Sequence, residues 1–221
     1  MKTSSPYTRQ LGLQLPVLIV ISIAVVITAV KSNSDIHASA APTKKGRSKK
    51  SPVQFNKDGE LARPTGYRKW TYVGTPLTPN DMNGGKTPFS EYHTVYMNPN
   101  AHNHYEKTGE FLNGTVLVKE LISVDTKEAS SSKGNFMGDF AGFEDSMKVK
   151  MRFKDEPGNW AHFSFGHKYP LKDVAKAQSA ASCNDCHNGE TDDDYVFTQY
   201  YPVVRAAKSL RSRNVTALLS G

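Results

Sequence analysis

Hydrophobic and polar positions alternate in short runs through the middle of this 221-residue chain. "YRKWTYVG" (67–74), "SEYHTVYMN" (90–98), "GTVLVKELISV" (114–124), "MKVKMRFK" (147–154) and "WAHFSFG" (160–166) each read as a β-strand. Between them, "TPLTPND", "NGGKTP", "SSSKGN" and "DEPGN" collect the residues that turn a chain. Helix is expected in three other stretches: "PNAHNHYEKTGEF" (99–111), "PLKDVAKAQSA" (170–180) and "VFTQYYPVVRAAKSLRS" (196–212), where Pro202 starts or kinks it. The pattern predicts an α+β fold with a mainly antiparallel sheet and a few helices.

One of these runs raises a question of charge. In "NGTVLVKEL", strand alternation puts Thr115, Leu117, Lys119 and Leu121 on one face and Val116, Val118, Glu120 and Ile122 on the other. Each face is apolar with a single charge in it. By periodicity alone, Lys119 is a strand lysine whose stem lies along Leu117 and Leu121 while its ammonium reaches water. Glu120, pointing the other way, reads as paired or solvated. Glu144 reads as an exposed acid in a loop beside Asp145.

The formal charge of +7 is confined to the N-terminus, because residues 1–53 hold eight Lys/Arg against one Asp. The remainder is neutral and gives no reason to expect nucleic-acid binding. Lys2 and Arg9 precede an apolar run from Leu11 to Val30, followed by Ala38-Ser39-Ala40, so residues 1–40 read as an export signal or, if uncleaved, a membrane anchor. Residues 41–53 are basic and read as a flexible linker, leaving 54–221 as the folded domain. The expected location is the periplasm, with membrane association only through an uncleaved N-terminus.

Both cysteines of the chain fall in "CNDCH", as Cys183 and Cys186, with His187 adjacent. This spacing lets two thiols reach the two vinyl groups of one porphyrin while the histidine turns to the iron, so one covalently bound c-type haem with His187 as its ligand is expected. A thioredoxin-like pair would sit early in a βαβ unit, a zinc site needs further ligands, and a disulfide over so short a loop would staple little. No Met follows His187, which favours an open distal position and chemistry at iron over pure electron transfer. Phe89, Tyr92, Phe136 and Phe163 read as core aromatics, and His102, His104, His162 and His167 as core or solvated histidines.

Taken in order, "GYRKWTYVGTPLTPNDMNGGKTPFSEYHTVYMNP", "KTGEFLNGTVLVKEL", "NFMGDFAGFEDS", "EPGNWAHFSFG", "CNDCH" and "VFTQYYPVVRAAK" resemble the cytochrome P-460 family from about Phe55 to Lys208. The resemblance implies a β-rich, homodimeric, periplasmic monohaem enzyme that oxidises hydroxylamine to nitric oxide or nitrous oxide and passes electrons to another cytochrome. It implies that Lys119 is covalently joined to the porphyrin and that Glu144 is a distal carboxylate that relays protons. Where the family's preceding strand often bears a basic residue, this chain has His93. Two alternatives accompany the resemblance: a cytochrome c prime beta-like protein that binds nitric oxide or carbon monoxide without turnover, and an electron-transfer cytochrome c.

Overall fold

The computed structural model describes residues 52–128 and 131–209, all within one compact unit, Ser48–Gly221. The expected leader (1–40) and most of the linker (41–53) lie outside the described residues. Val53 already belongs to the core, at 6% exposure.

The core is organised by a five-stranded antiparallel sheet in the order β2 (Thr71–Gly74), β3 (Tyr92–Met97), β4 (Thr115–Glu128), β5 (Lys133–Lys148) and β6 (Trp160–Gly166). A two-stranded pair, β1 (Leu61–Ala62) with β7 (Val174–Ala175), lies apart from it in pairing. Helix α1 (Pro99–Thr108) starts on a proline and ends at Gly109 in the left-handed region, as helix ends favour. The α+β class expected from the pattern is the class observed.

Strand β4 is apolar on both faces because the sheet is covered on both. Leu117 packs with Val95, Met97, Trp160 and Val204 on one side, while Val116 and Val118 pack with Phe143, Phe163 and Phe165 on the other. A strand buried twice reads as a near-continuous apolar run, which is what Thr115–Ile122 shows apart from its two charges. The faces follow the expected alternation as far as Leu121, after which register shifts at Ile122 interrupt it.

Three expectations are corrected. The strand expected over 147–154 stops at Lys148, and Val149–Phe153 turns instead, with the amides of Arg152 and Phe153 donating to the Val149 carbonyl. The longest strand, β5, was not expected over residues 133–146, and it carries Glu144 in a ladder rather than in a loop. Its glycines hid it, and Gly138 has a local reason: a Cβ there would collide with the Ser123 hydroxyl and the Asp125 carboxylate across the ladder. The helix expected over 170–180 is absent, since Val174–Ala175 pairs with β1 and only Ala180–Ser182 coils, as a 3-10 turn. At the C-terminal end the backbone is helical over 202–209, with Pro202 starting the helix.

Glu120 and Asp145 share the face opposite Lys119 and resolve their burial differently. Tyr67 Oη donates to Glu120 Oε1 at 2.5 Å, and Arg68 forms an ion pair with the same carboxylate. Asp145 is 1% exposed between Val118 and Phe163, and among the described residues neither carboxylate oxygen has a hydrogen-bond partner. Burial pushes its carboxyl well above the usual carboxylate range. A raised native pKa means the folded state holds the proton longer than the unfolded chain. Asp145 therefore costs nothing extra below about pH 4 and destabilises progressively as pH rises toward its native value. Replacing Asp145 with Asn should raise the melting temperature more at pH 8 than at pH 4, by about 3 °C for each kcal/mol recovered. Thermal melts of both proteins across that range check it, and equal shifts at both pH values would show that Asp145 is not buried as an acid.

Candidate haem site

Lys119 and Glu144 lie on the sheet face that also carries His162, against whose ring the His187 of the C-N-D-C-H turn packs. On β3 to β6 the Lys119 face includes His93, Val95, Lys119, Leu121, Glu144, Ser146, His162 and Ser164, as the register pairs of the ladder fix them. Lys119 and Glu144 are direct cross-strand partners, and Lys119 Nζ lies 2.6 Å from Glu144 Oε2 with the two side chains 24% and 20% exposed. The ammonium also sits 3.9 Å from the centre of the Phe89 ring, a favourable place for a cation. The snorkelling lysine of the bland reading is thus replaced by one held inside a half-buried pair.

Around that pair the structure gathers three histidines that sequence spacing could not connect. His167 Nε2 lies 3.0 Å from Glu144 Oε1 and is half exposed, so it links the carboxylate to solvent. His93, edge-on to Phe89, keeps a buried Nε2 with no hydrogen-bond partner. Burial and the Lys119 charge lower His93 to about 4, which leaves it neutral near pH 7. His162 is buried beside His187 and belongs to the support described below. Burial alone would raise Glu144, but Lys119 and His167 overcome it and hold its carboxyl below the usual range. Phe89, half-buried, thus lies against this pair, while Phe136 is 41% exposed; of the four aromatics named above, Phe163 is the one that is fully buried.

The turn that carries the cysteines is a short helix, α2 (Asn184–Glu190), with Cys183 at its N-cap position and the His187 amide donating to the Cys183 carbonyl. The spacings of three and four residues put Cys183, Cys186 and His187 on one side of this turn. Asn184 points the opposite way, into the core. Both thiols are free. Among the described residues no group of three or more His, Cys, Asp or Glu could hold a metal ion, so nothing there supports a zinc reading.

His187 is oriented from three sides. Its Nδ1 donates to the Tyr195 carbonyl at 2.7 Å, its ring lies 4.7 Å from Phe197 and 4.4 Å from His162, and no described residue bonds Nε2. A carbonyl can only accept, so the proton is fixed on Nδ1 and the lone pair on Nε2. The carbonyl itself is held by an unusual turn, since Asp194 and Tyr195 both have positive φ. Asp194 Oδ1 accepts from Lys148 Nζ at 3.0 Å and from Trp160 Nε1 at 3.3 Å. Gly158 makes room for this turn: a Cβ there would lie 2.5 Å from the Tyr195 ring, and its φ of +62° already disfavours a side chain.

The two halves of the site act on each other electrically. Burial lowers His187, and the Lys119 charge lowers it further while Glu144 opposes. Burial raises the Cys183 thiol, with Glu144 adding to the effect and Lys119 opposing it. Two free thiols and an imidazole with one unengaged nitrogen are the donor set of a c-type haem. The orphaned Nε2 of His93 and the Lys119–Glu144 pair supply polar groups on the facing strands. The residues present therefore fit the group.

Sequence reasoning had singled out Cys183, Cys186, His187, Lys119 and Glu144; in the structure Lys119 and Glu144 pair on the face from which His162 meets the His187 ring, and the cysteines lie on the turn that carries His187. It had noted His93 only through the resemblance and had passed over Phe89, His162 and His167 as site residues. The only sequence signal for them was strand parity: His93 and His162 lie on the Lys119 face, but parity becomes readable only with the register in hand. The profile of a protein family described as Cytochrome P460 matches residues 64–198, more than half of the chain and all five of these positions. A search of curated proteins found no match.

Proposed function

Since the chain belongs to the cytochrome P460 family, a family of haem proteins, we propose that it is an exported enzyme oxidising hydroxylamine to nitric oxide or nitrous oxide. In this reading one haem is joined through Cys183 and Cys186, bound at iron by His187, and further bonded to Lys119. The observation that carries it is the Lys119–Glu144 pair, 2.6 Å apart on the sheet face shared with His162, against whose ring His187 packs. Haem bound here supplies the redox centre that takes electrons from hydroxylamine and hands them to a partner cytochrome.

The chain's own groups have defined tasks. Joining the Lys119 nitrogen to a ring carbon would replace that carbon's hydrogen and release two protons and two electrons, the electrons going to a two-electron oxidant such as a peroxide; Lys119 must first be a neutral amine, and Glu144 Oε2 at 2.6 Å is placed to take the ammonium proton. Once the nitrogen is bonded to a ring carbon the ammonium charge is gone, and Glu144 keeps His167 as its partner at 3.0 Å. A carboxylate without its lysine rises toward the range of a useful base, because burial is then less opposed. Glu144 then accepts protons that hydroxylamine releases, and half-exposed His167 passes them to solvent. Tyr195 and Phe197 orient the His187 ring and leave Nε2 with its lone pair, so that it would bind the iron of a haem held here.

The periplasm is the expected setting, from the N-terminal signal at 1–40. A homodimer fits the exposed Phe136, Met137 and Phe140 on the β4–β5 arm, which a second copy would cover. Steady-state assay of the purified full-length protein with hydroxylamine and an artificial electron acceptor tests the reading. Many turnovers with release of nitric oxide or nitrous oxide are expected. Stoichiometric binding of nitric oxide or carbon monoxide without turnover would instead make it a gas-binding protein of the cytochrome c prime beta kind, and a six-coordinate low-spin iron an electron carrier.

A further inference from the structure

We propose that His162 is a positioning residue for the C-N-D-C-H turn, which it anchors through Asn184 while walling one side of the His187 ring. The inference rests on the reading that haem is attached at Cys183 and Cys186 and bound by His187. It concerns a residue outside that motif, on β6.

Of the five residues Cys183–His187, Asn184 alone is buried, at 2% exposure. A carboxamide taken that far out of water must satisfy its donors and its acceptor. Its NH2 donates to Glu156 Oε2 at 3.0 Å and to the Trp160 carbonyl at 3.3 Å, two groups that can only accept. That fixes the orientation of the amide and leaves Oδ1 facing His162 Nε2 at 2.9 Å. The His162 proton is then on Nε2, and Nδ1 accepts from the Ser146 hydroxyl at 2.8 Å. Ser146 and His162 are cross-strand partners on β5 and β6, so the chain of bonds runs from the sheet into the motif.

Both nitrogens of His162 are thus committed, and it offers neither to iron. Its ring is what His187 meets, at 4.4 Å between centroids and tilted by 48°, with Phe197 at 4.7 Å as a second aromatic neighbour. A histidine merely filling the core would be satisfied by any buried partner. This one bonds the single buried residue of the haem-binding motif and touches the ligand itself. Losing its N–H would strand Asn184 Oδ1 in the core and free the turn that sets the two thiols and the imidazole relative to one another.

Two substitutions separate its roles. His162→Phe keeps a ring against His187 but gives Asn184 no donor, whereas His162→Gln keeps an N–H donor near the position of Nε2. Each full-length protein is produced alongside the wild type under conditions that attach c-type haem. Intact mass gives the haem-loaded fraction, and resonance Raman of the loaded ferrous protein gives the iron–histidine stretch. The expected result is a loaded fraction about tenfold lower in His162→Phe, with a shifted and broadened iron–histidine band in what does load, and recovery toward wild type in His162→Gln. Wild-type loading and an unchanged band in His162→Phe would overturn the proposal, as would a His162→Gln protein no better than His162→Phe. If His162→Phe gives no cooperative thermal melt, Asn184→Ala reads the same contact from the other side, and full loading of that variant would overturn the proposal equally. Wild-type protein lacking attached haem would overturn the attachment reading, and this inference with it.

Discussion

Glu144→Gln should lower hydroxylamine turnover by about 100- to 10,000-fold while leaving the haem attached, the range that loss of a positioned proton acceptor produces. Glutamine has nearly the shape of glutamate and can still bond His167 and approach Lys119 across the ladder, so packing on β5 should survive. What disappears is the ability to take a proton at Oε1 or Oε2. The pH profile carries a further signature. Glu144 is lowered relative to an ordinary carboxyl by Lys119 and His167 while Lys119 is charged. When Lys119 is bonded through its nitrogen, only His167 opposes burial, and the carboxyl titrates higher than in a chain that lacks the bond. Wild-type turnover should therefore fall on the acid side as Glu144 takes up a proton, and the Gln variant should show no such limb. Steady-state rates across pH check both points; undiminished turnover in Glu144→Gln would remove the residue from the chemistry.

Lys119→Met is expected to have an effect of similar size by a different route. Methionine keeps an unbranched stem at the position that shares a face with Leu117 and Leu121, so the fold and the proposed attachment at Cys183 and Cys186 should persist. The variant loses the nitrogen that faces Glu144 at 2.6 Å, and with it the bond to the macrocycle that the proposal requires. Its visible spectrum should become that of an ordinary c-type haem. Hydroxylamine oxidation should fall by about 100-fold or more, as expected when a covalent contribution to the cofactor's electronics is removed. Binding of nitric oxide should remain, because His187 and its supports are untouched. An unchanged spectrum together with unchanged turnover would show that Lys119 is only the half-buried partner of Glu144.

How much of this was legible in the sequence depends on the kind of interaction involved. Alternation in Thr115–Leu121 fixed which residues share a face, because the period of a strand is local and both faces of β4 are covered. The grouping of Cys183, Cys186 and His187 on one turn was legible because spacings of three and four residues are local, while what the turn holds belongs to the proposal. Strand β5 was hidden by glycines and acids that make sense only once Ser123 and Asp125 are seen lying against Gly138. For the same reason Glu144 looked like a loop acid, although the pairing Lys119↔Glu144 is the centre of the site. The stretch 170–180 had helical composition, but pairing with Leu61–Ala62 took its middle into a strand, so tertiary contact overrode local preference. His162, His167 and Tyr195 could not have been assigned by any local pattern. Their partners lie 22, 23 and 8 residues away, and one of the three contacts, His162 with Asn184, joins two elements, β6 and α2.

The charge among the leucines in "NGTVLVKEL" is where the functional reading is most exposed to contradiction. Proteolytic digestion of the purified protein followed by mass spectrometry of the haem-bearing fragments tests it directly. The expected fragment contains the Cys183–His187 peptide, one haem and the peptide carrying Lys119, joined without a disulfide and stable to reduction. A digest of active protein in which the Lys119 peptide is released free and unmodified, with haem retained on the cysteines alone, would contradict the covalent role of Lys119.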